Sequence, residues 1–342
     1  MSAILQTMKH KTSIFTRMIQ ENVFRIMAKF LPVIALIIPF LILYSLYPNT
    51  FEPVWTGTWK NRLGYVFFLW LFSMETIVNW EELRIEKHKI LSAKTAVIIT
   101  VFVLPTIFVI FTNYLGLKQI IIDLSTQFNI RPAWAALMPL TIEYLVFAFL
   151  FAMIVFLEYG SRGIKGYSVS TFFLVIIGAI YAIDNIYPLG EFAPFQILVT
   201  PTATFAANIL SLMGYHTTLD TKTMVPYLFA QNPKNPREYF GAYIDWPCSG
   251  VESLLIYTVT ILLFLKKSGL SLKAKAIYFL IGAVVTYFIN ILRIVTLYTI
   301  AIHNGNWGVF HDFYGPFYSI IWIISYPLII IGSQVLWDKL RR

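Results

Sequence analysis

The sequence predicts an all-α integral membrane protein of about eight transmembrane helices, with both termini cytoplasmic and one long extracytoplasmic segment before the sixth span. Three observations carry that prediction. The 342 residues are 58% hydrophobic and only 13% charged, with a mean hydropathy of +0.70, whereas a soluble domain is about 45–50% apolar and about 25% charged. Eight apolar runs come close to the roughly 20 residues that cross about 30 Å of hydrocarbon. Lys and Arg are shared unevenly among the segments between those runs. A water-soluble chain this apolar would expose large sticky patches. A soluble enzyme, a disordered protein and a coiled coil are therefore excluded.

In chain order the runs are 30–48, 62–80, 95–115, 134–157, 168–187, 249–265, 276–301 and 316–337. The first follows a basic amphipathic stretch, SIFTRMIQENVFRIMAKF, suited to the membrane surface. No small-residue cleavage site follows it, so it reads as a retained span rather than a signal peptide. With the N-terminus inside, the inner segments hold 18 of the 26 Lys and Arg and the outer segments 7, with Arg293 inside a span. That asymmetry puts both termini in the cytoplasm.

Residues 192–213 are apolar enough for a ninth span. A crossing there would move Lys266, Lys267, Lys273 and Lys275 outside, against the charge asymmetry. Pro194, Pro201 and the threonines suit an interfacial or re-entrant piece instead. The segment 188–247 is thus read as extracytoplasmic, within a single polytopic domain over 1–342. Its polar half, with Asn232-Pro233, Asn235-Pro236 and Gly241, is expected to form turns and short strands.

The net charge of +9 sits in short clusters, not on one continuous face, so nucleic acid is not an expected partner. A single cysteine excludes an intramolecular disulfide and a Cys-rich metal site. There is no HExxH, no G-x-S-x-G and no P-loop, and His311-Asp312 alone is too little for a metal centre. No cofactor or metal is expected.

The candidate functional residues are those that are expensive to bury. Arg293 falls about eight residues, or roughly 12 Å, below the outer end of its span, with Asn290 on the same face. A structural role would pair it with Asp184, Glu143 or Glu252. Cys248, in Asp-Trp-Pro-Cys-Ser-Gly, stands where span 6 begins; a helix N-terminus and a nearby arginine both lower a thiol pKa. His303 and His311 lie in the outer loop 302–315, which holds no Lys or Arg. The Gly315-Pro316 pair is expected to bend the chain into span 8 and turn a flexible loop carrying His311 over Cys248. Cys248, Arg293 and His311 therefore approach the outer boundary of three consecutive spans. A thiolate, a fixed cation and a general acid/base at one depth suit acyl transfer. Asn290, Glu252 and Asp245 are candidate substrate-binding residues. The rival reading is a transporter using intramembrane Glu143, Asp184 and Arg293, although the chain lacks the matching halves common in transporters.

Cys248-Ser249-Gly250 opening one span, Asn290 with Arg293 in the next, and His311 with Gly315 before the last resemble, in order and placement, the exosortase/archaeosortase family. That resemblance implies a membrane transpeptidase, similar to sortases in chemistry but not in fold. Its partners would be secreted or surface proteins bearing a C-terminal short motif, transmembrane helix and basic tail. In archaea the processing is coupled to attachment of a lipid anchor, so a membrane lipid is the implied acceptor. Carried over, Cys248 is the nucleophile, Arg293 a catalytic cation and His311 the third group. Several archaeal members have arginine at the third position, from which His311 departs. The Ile, Lys and Asn usage nevertheless fits a low-GC archaeon, and the chain is taken to resemble the thaumarchaeal archaeosortase branch.

Overall fold

The computed structural model of the protein describes residues 31–52, 57–82, 93–223 and 225–341. The basic amphipathic stretch before the first run, His10 and His88 lie outside the described residues. Each of the eight apolar runs forms a helix. In chain order these are α1 (Leu31–Leu46), α2 (Leu63–Val78) and α3 (Ala93–Tyr114), then, after the short amphipathic α4 (Leu117–Gln127), α5 (Met138–Gly166) and α6 (Ser168–Ile186). The short α7 (Val199–Leu212) precedes α8 (Val251–Lys266), α9 (Leu272–Ile302) and α10 (Gly315–Arg341). Among the described residues, five stretches are long and apolar enough to cross a membrane: Ala96–Tyr114, Pro132–Gly166, Ser168–Ile186, Leu272–Ile302 and Trp307–Trp337. The other three predicted runs are α1, α2 and α8, of 16 residues each, about 24 Å at 1.5 Å per residue.

The segment 192–213 breaks into the single turn Ala193–Gln196 and α7, of 14 residues. At about 21 Å, α7 is shorter than a bilayer core. The polar half that follows is a meander of β1 (His216–Asp220), β2 (Tyr227–Gln231) and β3 (Tyr239–Tyr243). Its antiparallel register pairs Thr218 with Phe229 and Phe229 with Gly241. Alternation puts Leu228 and Ala230 of β2 on the buried face, as period-two side chains require.

The chain divides into two compact units. The first holds described residues 31–48, 64–82, 93–120 and 142–175. Its core is aromatic: Tyr65 stacks on Phe40 with centroids 4.6 Å apart and lies 4.3 Å from Tyr144, while Phe72 stacks on Tyr167 at 4.9 Å. The fully buried Glu75 accepts hydrogen bonds from the backbone N–H groups of Val169 and Ser170 at 3.1 and 2.9 Å. A buried carboxylate thus satisfies free amides at the start of α6, where the helix dipole favours negative charge. α5 outruns its predicted end by nine residues because Gly160, at φ +66° and ψ −154°, breaks and restarts the helix in a conformation open mainly to glycine.

The second unit holds described residues 49–52, 57–63, 121–141, 176–223 and 225–341. One apolar cluster joins α7 (Ala203, Ala206, Leu210), the sheet (Leu228, Ala230) and α9 (Ile291, Ile294, Tyr298). Tyr298 donates its hydroxyl to the Leu228 carbonyl at 2.9 Å. A second cluster joins α8, α9 and α10 through Tyr257, Ile261, Tyr326 and Ile330. There Ser319 of α10 donates to Ser253 of α8 at 3.0 Å, and Trp322 donates to Thr286 of α9 at 3.1 Å. Three helices are therefore held by packing and by buried polar cross-links, the means available in a membrane where apolar surface is no scarcer outside the bundle than within it.

Candidate active site

Cys248 lies in a 3-10 turn, Trp246–Ser249, placed before α8 and not inside it. The sequence makes that turn from both ends. Asp245 caps it by accepting from the Trp246 N–H at 2.7 Å, the Cys248 N–H donates to the Asp245 carbonyl at 2.9 Å, and Ser249 Oγ donates to the Trp246 carbonyl at 2.6 Å. Gly250 then adopts φ +95°, the left-handed conformation that glycine reaches without a steric penalty, and α8 starts at the next residue.

Asn290 of α9 closes the turn from the other side. It is 1% exposed and donates from Nδ2 to the Cys248 carbonyl at 2.9 Å. A Cβ on residue 250 would lie 3.0 Å from its amide. The Cys-Ser-Gly and Asn-x-x-Arg motifs are thus two halves of one contact. Asn290 and Asp245, expected to bind substrate, are both engaged in holding the turn.

Arg293 is one turn further along α9 and half-buried. Its Cδ and Nε pack on Gly315, where a Cβ would come within 3.3 Å of both and 3.1 Å of the Phe310 carbonyl. The glycine of the His-x-x-x-Gly motif therefore leaves room for the arginine. The expected ion-pair partners of Arg293 are partly engaged elsewhere. Asp184 pairs with Lys60 at 2.7 Å, and Glu143, in the first unit, accepts from Tyr65 at 2.9 Å. Among the described residues Arg293 forms no hydrogen bond or ion pair; its charge acts on the Cys248 thiol and on Glu252.

The expected lowering of the thiol pKa is not found. Burial pushes the Cys248 thiol up; Arg293 pulls it down without overcoming that rise, and the Asp245 charge adds to it. The physical reason lies in the turn. Gly250 stands between the cysteine and the first turn of α8, and the Cys248 N–H is already spent on Asp245. Burial likewise raises the Asp245 carboxyl above its ordinary value.

His311 also departs from expectation. It is on no flexible loop: a π-turn, Phe310–Tyr314, runs straight into α10. Gly315 has helical angles and donates its N–H to the Phe310 carbonyl, so the Gly315-Pro316 pair does not bend the chain. A widened turn accommodates the proline ring, which would clash in a regular helix interior. His311 Nδ1 lies 2.8 Å from Asp312 Oδ1. A carboxylate only accepts, so this nitrogen carries the proton and Nε2 is left for other work. The charge of His311 reaches Glu252, in the first turn of α8. His303 is committed elsewhere: Nε2 meets the Tyr215 hydroxyl at 3.1 Å and Nδ1 meets Glu238 at 3.2 Å.

Cys248, Glu252, Arg293 and His311 thus form one electrostatic group drawn from the 3-10 turn, α8, α9 and the π-turn. A thiol, an uncommitted guanidinium and an imidazole oriented by a carboxylate are the groups that acyl transfer needs. Among the described residues no three His, Cys, Asp or Glu side chains are grouped to hold a metal ion. Sequence reasoning missed Lys60 and Trp246; only the cost of burying a lysine would have marked the first. Comparison with curated proteins and with solved structures finds no match. The family model described as Transmembrane exosortase (Exosortase_EpsH) matches residues 59–328, a stretch containing every residue of this group, and the chain belongs to the transmembrane exosortase family.

Proposed function

We propose that this membrane protein is a cysteine transpeptidase that cleaves C-terminal sorting signals of exported proteins at the outer face of the cytoplasmic membrane and transfers them to an acceptor, a membrane lipid. The observation that carries the reading is Arg293, half-buried and uncommitted, with its charge on Cys248. A substrate's transmembrane helix docks among the spans and presents its motif to the turn. Cys248 Sγ attacks the scissile carbonyl as His311 Nε2 takes the thiol proton. Arg293 holds the oxyanion. The C–N bond then breaks, the leaving amine takes the proton from His311, and an acceptor hydroxyl resolves the thioester and releases the thiol. The charge asymmetry supports eight spans with both termini inside, a topology in which the turn faces outward. The transporter reading loses support because Asp184 is already paired with Lys60.

The test is processing of a tail-bearing substrate in membranes. Cys248→Ala removes little volume, so the protein should insert as before while processing is abolished. His311→Ala should abolish turnover, whereas His303→Ala, which cuts contacts to Tyr215 and Glu238, should lower it only modestly. Normal processing by the Cys248→Ala variant would reject cysteine catalysis. A dead His303→Ala variant beside an active His311→Ala variant would move the proton-transfer role to His303.

A further inference from the structure

Lys60 and Asp184, which no step above uses, form a buried ion pair at 2.7 Å, with side chains 1% and 6% exposed. Burying two charges is favourable only when further hydrogen bonds satisfy them, and those bonds have a direction here. Lys60 also donates to Asn185, whose amide donates to Thr141 at 2.8 Å. Burial pulls the Lys60 ammonium below its ordinary value, and Asp184 works against that fall. The other oxygen of Asp184 accepts the indole Nε1–H of Trp246 at 2.7 Å. Trp59, next to Lys60 in the chain, packs edge-on against the same indole, with centroids 4.7 Å apart at 89°. Trp246 is 2% exposed and is the first residue of the turn whose third residue is Cys248.

We propose that the Lys60–Asp184 pair is a positioning device which, by holding the Trp246 indole, seats the Cys248 turn against Arg293 of α9. The pair touches no reacting atom, and the proposal rests on the Cys248–Arg293 relation developed above. A charged acceptor binds an N–H more strongly than a neutral one, and Lys60, 2.7 Å from the second carboxylate oxygen, balances the charge of Asp184 within the buried pair. Two of the contacts that hold the turn act on its first and third residues. Asn290 holds the Cys248 carbonyl from α9, and Asp184 at the end of α6 holds the indole that begins the turn. Rotation about one contact alone would carry the thiol away from the guanidinium.

The test reads alkylation of the single cysteine by iodoacetamide, a neutral probe, in membranes containing the full chain at pH 8. In the parent chain Arg293→Gln should slow alkylation about tenfold, because the cation that favours the thiolate is gone. In a Trp246→Phe background, which keeps a ring but removes the indole donor, the same Arg293→Gln change should slow it less than twofold. Asp184→Ala should act as Trp246→Phe does. The double variant Lys60→Met with Asp184→Asn removes both charges but leaves an amide oxygen for the indole, and should restore part of the dependence on Arg293, less than the parent's because a neutral acceptor holds the indole more weakly. If Asp184→Ala does not accumulate in the membrane, Trp246→Phe carries the comparison by itself.

Full dependence on Arg293 persisting in Trp246→Phe overturns the proposal. So does a double variant that behaves like Asp184→Ala, or a parent chain whose alkylation ignores Arg293. Unimpaired processing by Cys248→Ala would reject the catalytic reading and leave this coupling result standing, so the two failures are told apart.

Discussion

At the scale of residues, burial and the Arg293 guanidinium act on the Cys248 thiol in opposite directions. Burial dominates the Cys248 thiol and holds it up, with Arg293 opposing. At neutral pH the resting group is therefore a neutral thiol, and thiolate forms only as a base takes the proton. The sign follows directly. Alkylation of Cys248 should keep rising with pH beyond the ordinary thiol range of about 8.5. Arg293→Gln removes the group that favours the anion, so its profile should move to still higher pH. Arg293→Lys should recover part of that electrostatic shift, because the charge remains. It should not recover processing, because a compact ammonium lacks the planar fork of donors that can hold an oxyanion while packed on Gly315. Measuring alkylation and processing on the same variant separates the two roles. A lysine variant with near-normal processing would reduce Arg293 to a source of charge.

Among the elements, two glycines carry the geometry for different reasons. Gly250 needs its positive φ, and a side chain there would also meet the Asn290 amide. Gly250→Ala should therefore cost about 1–2 kcal/mol of conformational strain, seen as a lower unfolding temperature in detergent, and should lower processing with it. Gly315 has helical angles and is small because Arg293 crosses it. Gly315→Ala should leave the unfolding temperature nearly unchanged yet slow processing about tenfold or more, since small displacements of a catalytic group are costly. Equal losses of stability in the two variants would remove the distinction.

These elements also mark how far the sequence could be read. The eight helices were legible because apolar length is a strong signal, and the strands of the 188–247 segment because Asn-Pro and Gly punctuate it. The expected convergence of Cys248, Arg293 and His311 was read from their register at the ends of spans. What was not legible depends on contacts distant in sequence. The Lys60–Asp184–Trp246 network joins positions 124 and 62 residues apart, and no local pattern announces it. The π-turn was hidden for a different reason: Gly-Pro ordinarily signals a bend, and here a widened helical turn absorbs the proline.

For the whole molecule, the reading requires that α8 cross from an outer turn to an inner basic end. α8 begins after Gly250 and finishes at Lys266, with Lys267 at its C-cap. Its 16 residues, about 24 Å, are just short of the hydrocarbon thickness, so the proposed crossing sets the Cys248 turn and the lysine pair near opposite boundaries. That proposed orientation puts two lysines inside, in line with the expected asymmetry of 18 against 7, and reversing the helix would set both against the charge rule. The half-buried thiol is a poor reporter for a bulky reagent, so two surface positions serve better. In a Cys248→Ala background, Lys267→Cys should react with a membrane-impermeant maleimide only in inside-out vesicles. Lys222→Cys, on the exposed turn between β1 and β2, should react only in intact cells. Iodoacetamide, which enters the membrane, should label both, so that a silent position means wrong-side access and not a buried thiol. Labelling of Lys267→Cys from outside would invert α8 and carry the site to the cytoplasmic face. Labelling of both positions from the same side would instead mean that α8 does not cross as assigned.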